Sequence, residues 1–234
     1  YEDRLNLYGT WTTSTFYPEW FGAIGDGISD DTAAIQRVLD LGDQVKMRAQ
    51  ICCFLTSKYL ITSGLRINGG TTLRGLYKSS LIGHNKPESS ILICQFANTK
   101  QWALQSNNYG NFDSTEGTFH EGQLFSYNNL VGRKAYDEEW LKSQTGIRIE
   151  NICITAKKTG EAYIFGGVRL MVGESSMHDV GIFGFWIGYA RSCSWFSTDD
   201  GLHVLAKYIA CYIGSDMNGF HLRDCYLDCY GSLN

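Results

Sequence analysis

The sequence has few of the features that mark a membrane or nucleic-acid protein. No apolar run reaches the roughly 18 residues that a membrane helix needs, so no membrane partner is expected. Its 20 Lys and Arg against 24 Asp and Glu give a formal charge of −4, and its basic clusters are too short to form a cationic stripe. Nucleic acid is therefore not expected as a partner. The sequence has neither a C-x-x-C pair nor histidines at metal-ligand spacing, so we expect no metal and no cofactor.

Proline is also scarce, with two residues against 26 glycines, which indicates many tight turns. A hydrophobic fraction of 44% with 14% aromatics is typical of a globular chain and not of a disordered one. At 234 residues the chain is long enough to bury roughly 70 to 75% of its unfolded surface. One domain needing no stabilising metal or disulfide is therefore expected.

The eight cysteines lie mostly in apolar runs that look like strands. Cys153 in "IENICITA" and Cys225 in "LRDCYLDCYG" alternate with Ile, Leu and Tyr, as small buried hydrophobes do. This pattern favours free thiols in the core over disulfides. Free thiols in turn favour synthesis in a reducing cytoplasm.

Short strands separated by Gly and Asn dominate the chain. Residues 51–75, "ICCFLTSKYLITSGLRINGGTTLRG", alternate β-branched or aromatic residues with polar ones. Asn151, Asp179 and Asp224 each precede a similar apolar pattern, at intervals of 28 and 45 residues. Such spacing predicts a β-solenoid with coils of about 22 to 28 residues, in which Asn or Asp recurs where the chain bends. A sandwich of hairpins is the alternative, although Asn-Gly and Asp-Gly pairs are sparse.

Residues 98–146 interrupt this pattern with polar sequence that is rich in aromatics. One or two helical turns are predicted at residues 136–142. The segment is too long for an ordinary connection, so we expect an excursion that is functional or that contacts a neighbour.

The stretch "FGAIGDGISDDTAAIQRVLD", residues 21–40, is neither a dinucleotide-binding fingerprint nor a calcium loop, since it lacks the third glycine and the oxygen ligands that these need. It predicts a helix of about eleven residues. Ser29 or Asp30 would cap the start, Asp31 would add negative charge there, and Gly42 would end the helix. One face is apolar: Ala34, Ile35, Val38 and Leu39. Such a helix can cover the open first coil of a solenoid.

The segment "PEWFGAIGDGISDDTAAIQRVLD", residues 18–40, resembles the opening motif of the pectate-lyase-like right-handed parallel β-helix proteins, especially bacteriophage tail spikes and tail-associated depolymerases. The resemblance implies an all-β, right-handed parallel β-helix with a short N-terminal capping α-helix. It divides the chain into a lead-in strand or neck at residues 1–28, and a capping helix with the first coils at residues 29–234. The chain lacks an initiator Met, and a segment of a longer polypeptide is expected.

The resemblance also implies a homotrimer in the virion tail, made in the host bacterial cytoplasm and attached to other tail or baseplate proteins. It implies a depolymerase, either hydrolase or lyase, that binds and degrades bacterial surface polysaccharide. A non-catalytic structural or receptor-binding tail protein of the same fold is the alternative. A secreted microbial polysaccharide lyase or hydrolase is the weaker one, since it would need paired cysteines.

The best candidate for chemistry is "WFSTDDGLHV". Adjacent carboxylates can shift each other's pKa, so Asp199 and Asp200 are the predicted acid and base, with His203 beside them. Neighbours on a strand point to opposite faces, so both can serve one site only in a bend. A plain structural turn is the competing interpretation. Some β-helix hydrolases carry an Asp-Asp pair, but the Asn-x-Asp and Gly-His-Gly elements around it are absent here.

Substrate binding is assigned to residues near that pair. Trp195 and Tyr189 offer flat faces with polar tips that suit sugars, and Arg191 offers a planar fork for an acidic sugar. Asp179 and Asp224 are expected to have structural roles at the repeated turn. His178 and His221 lie in strand-like runs and are expected in the core or in turns.

Overall fold

The fold is built from short strands and one helix. A computed structural model describes residues 13–44, 51–77, 90–106, 145–157, 163–191, 194–214 and 217–231. The helices in these ranges are the short 3-10 helix η1 (Pro18–Phe21) and the α-helix α1 (Thr32–Gln44). The strands are β1 (Thr15–Phe16), β2 (Asp26–Asp30), β3 (Ile51–Leu55), β4 (Lys58–Ile61), β5 (Leu65–Ile67), β6 (Thr71–Gly75), β7 (Ile91–Cys94), β8 (Trp102–Ser106), β9 (Arg148–Ala156), β10 (Gly166–Leu170), β11 (Ser176–Phe183), β12 (Ile187–Arg191), β13 (Thr198–Asp200), β14 (His203–Ala206), β15 (Ile209–Ile213), β16 (His221–Arg223) and β17 (Tyr226–Cys229).

These strands form two parallel sheets. The larger sheet runs β1-β3-β6-β9-β11-β13-β16, and a second branch runs β2-β4-β7 onto β9 and β11 and continues through β14 to β17. The smaller sheet runs β5-β8-β10-β12-β15. Throughout the described ranges the strand pairs are parallel. The prediction of a parallel all-β fold with one helix is confirmed, and the hairpin sandwich is wrong.

Along the sequence, strands of the larger sheet alternate with strands of the smaller sheet. The strand register places Ile149, Met177, Asp199 and Leu222 at equivalent positions of successive strands. The intervals between them are 28, 22 and 23 residues, which agrees with the repeat read from the sequence. One side of both sheets faces a common core of Ile, Leu, Val and Phe side chains. Each repeat therefore buries its apolar side chains against those of the repeats before and after it.

A column of left-handed residues forms the corner between the two branches of the larger sheet. Asn151, Asp179 and Asp224 have φ of 55°, 51° and 49°, and Gly201 occupies the same position with φ 65°. Asn, Asp and Gly are the residue types that adopt this conformation at least cost. The structural role predicted for Asp179 and Asp224 is confirmed, and Gly201 completes a column that the sequence pattern had missed.

The acidic residues of the opening motif bond to backbone near them. The Asp26 carboxylate accepts bonds from the amides of Ile28 and Ser29 at 2.8 and 2.7 Å. The buried Asp31 accepts bonds from the amides of Ile24 and Gly25 at 2.7 and 3.2 Å. Burial raises the pKa of Asp31, against the opposing effect of these amides. The motif thus fixes the turn before α1.

Helix α1 begins after Asp31, and Asp30 bonds to the amide of its first residue, Thr32, at 3.0 Å. Ser29 instead belongs to β2, which crosses the expected boundary between residues 28 and 29 and pairs with β4. The apolar face is buried as predicted: Ala34, Ile35, Val38 and Leu39. It packs against η1 and strands β3, β5 and β6, so the helix lies on the first strands of both sheets.

Gly42 does not end the helix, which continues to Gln44. A Cβ atom at Gly42 would lie 2.2 Å from Thr71 Oγ1, closer than real Cβ contacts come. The glycine is therefore needed for the close approach of α1 to β6, and the sequence prediction of a helix terminus there was wrong.

Substituting Gly42 with alanine should lower the free energy of unfolding by about 1 to 3 kcal/mol, because the added methyl group overpacks the contact with Thr71. In a Thr71→Ala background the same change should instead be neutral or stabilise by up to about 1 kcal/mol, since alanine is the better helix former. Urea denaturation of the four variants measures both effects. Equal effects of Gly42→Ala in the two backgrounds would contradict the contact.

Part of the segment expected to form an excursion, residues 98–146, is a regular strand. Strand β8 (Trp102–Ser106) is a regular member of the smaller sheet, paired with β5 and β10. The rest of the excursion, with its helical turns at residues 136–142, lies outside the described residues except for residues 145 and 146.

The predictions of free cysteines and of no membrane helix can be compared with the described residues. Cys52, Cys53, Cys94, Cys153, Cys211, Cys225 and Cys229 are free, and Cys193 lies outside the described residues. Burial raises the pKa of Cys153 to about 12 and that of Cys53 well above the usual range. In the part of the chain that is described, no helix has the length and apolar character to cross a membrane.

Candidate functional site

The two adjacent aspartates lie on opposite faces of strand β13, as alternation along a strand requires. The Asp199 side chain is fully buried on the core side. The Asp200 side chain lies on the outer side with 29% of its surface exposed. The pair therefore has no bend that would bring both carboxylates to one face.

Asp199 belongs to a buried cluster of polar side chains. Its Oδ1 lies 2.8 Å from Arg191 Nη2, and its Oδ2 accepts a bond from Arg191 Nε at 3.0 Å. Tyr189 Oη donates to Oδ2, and the Met177 amide donates to Oδ1 at 3.0 Å. Arg191, Asp199 and Tyr189 are all fully buried. We call these three residues, with the buried serines around them, the interior cluster.

Two serines accept hydrogen bonds from Nη1 of Arg191. Arg191 Nη1 donates to Ser175 Oγ at 2.7 Å and to Ser194 Oγ at 2.8 Å. Burial opposes the charge on Arg191, but the neighbouring Tyr189 and Asp199 raise its pKa above the usual value. Burial likewise raises the pKa of Tyr189 well above its usual range. The cluster is thus a neutral phenol beside a satisfied ion pair, closed off from solvent.

Three of the predicted site residues, Tyr189, Arg191 and Asp199, are therefore together but sealed. None of them reaches a polysaccharide on the outer surface in this arrangement. The three residues were predicted to share a site because they are close in the sequence. Whether each side chain faces the core or the outer surface depends instead on the alternation along its own strand.

On the outer face, the strand register builds a row of charged side chains. We call it the polar ladder, and its members are Arg74, Glu150, His178, Asp200 and Arg223, one from each successive strand. Each step of the ladder is one strand spacing, about 4.8 Å.

Charges alternate along much of the ladder. Arg74 Nη2 lies 2.7 Å from Glu150 Oε2. Asp200 Oδ2 lies 3.6 Å from His178 Nδ1 and 3.8 Å from Arg223 Nη2. The other ring nitrogen of His178 lies 3.3 Å from Asp179 Oδ2. Asp200 is thus a partly exposed carboxylate between a histidine and an arginine, a set of groups suited to proton transfer beside an anionic sugar group.

A second outward row lies beside the ladder. Its members are Arg148, Ser176, Thr198 and His221, which are register partners, and the buried Thr72 precedes them in the same register. His178 and His221 are exposed here, so the expectation that they lie in the core or in turns was wrong. His178 alternates with the buried Met177, and His221 alternates with Leu222, the register partner of the buried Asp199, which would have indicated the outer face. No trio of His, Cys, Asp or Glu side chains suited to a metal ion occurs within the described ranges.

His203 and Trp195 lie at the two ends of the Asp199 strand. His203 begins β14, and its ring packs edge-on between Phe183 and Tyr226, at centroid distances of 5.4 and 4.8 Å. Trp195 precedes β13 and is 38% exposed. The structure thus places His178 and Arg223, which the sequence did not single out for catalysis, next to Asp200.

No family model and no curated protein match the sequence. Among solved structures, Geobacillus virus E2 ORF18 is 16% identical with a TM-score of 0.52, over 91% of this chain and 42% of that chain. The A-module of Azotobacter vinelandii mannuronan C-5 epimerase AlgE6 is 14% identical with a TM-score of 0.50, over 92% and 56%. The Dettilon tailspike protein is 11% identical with a TM-score of 0.44, over 88% and 38%.

These likenesses are of fold. The chain spans about half the length of these two solved structures, 42% of the virus protein and 56% of the epimerase module.

Proposed function

We propose that this chain is part of a bacteriophage tail spike of the pectate-lyase-like kind, in which the two parallel sheets close into a right-handed β-helix capped by α1. Three observations support the proposal: the parallel stacking, the helix on the first strands of both sheets, and the fold likeness to a virus protein and to a carbohydrate-active module. The spike would be a homotrimer in the virion tail, made in the bacterial cytoplasm, with other tail or baseplate proteins as partners.

The proposed task is to bind and degrade bacterial surface polysaccharide, and the polar ladder is the observation that carries it. A polysaccharide repeats along its length, and the ladder presents charged side chains at a regular spacing of about 4.8 Å on a rigid surface. Within the ladder Asp200 would transfer the proton, His178 would lie beside its carboxylate, and Arg223 would balance negative charge on substrate.

The other candidate residues take different places in this proposal. Asp199, Tyr189 and Arg191 would stabilise the wall from inside. Trp195 would contact sugar at the edge of β13. His203 would lie beside the site on the neighbouring branch.

A panel of purified capsular and O-antigen polysaccharides tests the proposal. The full-length protein that contains this chain is incubated with each polymer, and chain length is followed by size-exclusion chromatography with binding measured in parallel. Shortening of at least one polymer is expected. Binding to none of a wide panel would contradict the proposal as a whole.

A non-catalytic receptor-binding tail protein of the same fold is the second candidate. The sealed Asp199 favours it, because it leaves the adjacent aspartates with one outward carboxylate in place of two. Binding without shortening of any polymer would support this candidate and overturn the depolymerase.

A further inference from the structure

A second column of left-handed residues lies at the corner before the β13 repeat. Glu174, Phe196 and Gly219 have φ of 47°, 50° and 66°. Backbone bonds align them: the Glu174 amide donates to the Trp195 carbonyl at 2.7 Å, and the Phe196 amide donates to the Asn218 carbonyl at 2.9 Å. The three residues thus occupy one position in three successive repeats.

A phenylalanine at the position of Phe196 is unfavourable for stability. A bulky aromatic side chain is strained at positive φ, and glycine fills the equivalent place one repeat later. Burial gives little reason for the choice, since Phe196 is 72% exposed and only an edge of its ring lies close to Gly219 of the next repeat. Strained, exposed residues of this kind cluster at functional sites, where the side chain itself is needed.

The surroundings of Phe196 indicate what the ring contacts. Trp195 is 38% exposed beside it, and Glu174 and Asn218, whose backbones bond to Trp195 and Phe196 from the neighbouring repeats, are exposed as well. The corner leads within two residues into Thr198, which starts the strand that carries Asp200 of the polar ladder. Two exposed aromatic side chains, with an exposed carboxylate on the repeat before them and an exposed amide on the repeat after, suit a sugar ring, which has apolar C–H faces and polar hydroxyl edges.

We propose that Trp195 and Phe196 form a sugar-binding subsite, the aromatic corner, which stacks on a neutral hexose of the polysaccharide. Glu174 accepts hydroxyl hydrogen bonds, and Asn218 accepts or donates them. The negative charge of Glu174 disfavours an acidic sugar at this position, so a neutral residue of the polymer lies here while the ladder holds the residue to be cleaved. The inference rests on the proposed function, because it names a subsite of the same polysaccharide.

The test compares Phe196→Ala with Tyr77→Ala in the full-length protein, using the polysaccharide from the panel that wild type binds most tightly. Tyr77 is 60% exposed and lies outside the corner, so it controls for loss of an exposed ring. Phe196→Ala should weaken binding by about tenfold, the effect of one lost stacking contact, without lowering the thermal midpoint. Tyr77→Ala should change neither quantity.

Phe196→Gly separates binding from stability. It removes the ring together with the backbone strain, so binding should weaken as in Phe196→Ala while the thermal midpoint stays equal or rises. Unchanged binding in both Phe196 variants overturns the aromatic corner while leaving the proposed function intact. A fall in thermal midpoint that accounts for the binding loss also overturns it, since the ring would then be structural.

Glu174→Gln tests the choice of a neutral sugar. Competition for binding is measured with a neutral hexose oligosaccharide and with a uronic acid oligosaccharide of equal length. Because the ladder is the same in both proteins, Glu174→Gln should improve competition by the uronic acid oligosaccharide relative to the neutral one. An unchanged ratio of the two in Glu174→Gln contradicts the assignment of a neutral sugar. Wild-type binding to no polysaccharide overturns the proposed function and the corner together.

Discussion

Replacing Asp199 with alanine is expected to lower the free energy of unfolding by about 3 to 5 kcal/mol, the largest stability effect that the described residues predict. The reason is that the buried positive charge of Arg191 remains after its partner is removed. Arg191 is fully buried and makes two of its bonds to Asp199, at 2.8 and 3.0 Å, so the substitution leaves its guanidinium partly unpaired in the core. Urea denaturation followed by far-ultraviolet circular dichroism measures the change.

The adjacent aspartate supplies the matched control. Asp200 is on the same strand but outside, with longer ion contacts of 3.6 and 3.8 Å, so Asp200→Ala should change the free energy of unfolding by less than about 1 kcal/mol. Removing both charges together in Arg191→Met with Asp199→Leu should cost far less than Asp199→Ala alone, because no unpaired charge remains. Similar losses for Asp199→Ala and Asp200→Ala would show that the interior cluster is not as described.

Asp200→Asn is expected to reduce polysaccharide cleavage by roughly 10²- to 10⁴-fold, the range that a positioned proton-transfer group contributes. Amide and carboxylate have nearly the same size, and the side chain is on the surface, so binding and stability should change little. Initial rates of chain shortening, measured with the polysaccharide found in the panel, give the effect.

Asp228→Asn is the control for that substitution. Asp228 is an exposed carboxylate on β17, outside the polar ladder, and its loss should leave the rate of cleavage near the wild-type value. His178→Ala should fall between the two variants, since it removes a neighbour of Asp200 and not the carboxylate itself. Full activity of Asp200→Asn would show that the polar ladder is not the catalytic site.

Local signals in the sequence predicted the helix and the repeated bend. Asp30 predicted a helix start because such a side chain bonds to the free amides of the first turn, and it bonds to the amide of Thr32. The recurrence of Asn151, Asp179 and Asp224 predicted a repeated bend, since these residue types tolerate positive φ. Both are properties of single residues and their immediate neighbours.

Features set by packing between distant segments were not predictable in this way. Gly42 reads as a helix terminus, and only the position of Thr71 shows that it is a close contact. Asp199 and Asp200 are neighbouring residues of the same type. Only the orientation of β13 relative to the core shows that Asp199 forms a buried ion pair and Asp200 is a surface carboxylate. The ladder partners of Asp200 lie 22 and 23 residues away and become neighbours through strand register alone.

The left-handed corner also marks where the polypeptide could be spliced. Asp179 and Gly201 hold the same place one turn apart, so excising residues 179–200 would join His178 to Gly201 with the bend preserved. Tyr189, Arg191, Ser194, Ser197 and Asp199 all fall inside the excised stretch, so the buried charges would depart as a set. A protein that lacks residues 179–200 is therefore expected to keep its fold with no unpaired charge in the core, although Ser175 of the interior cluster would remain.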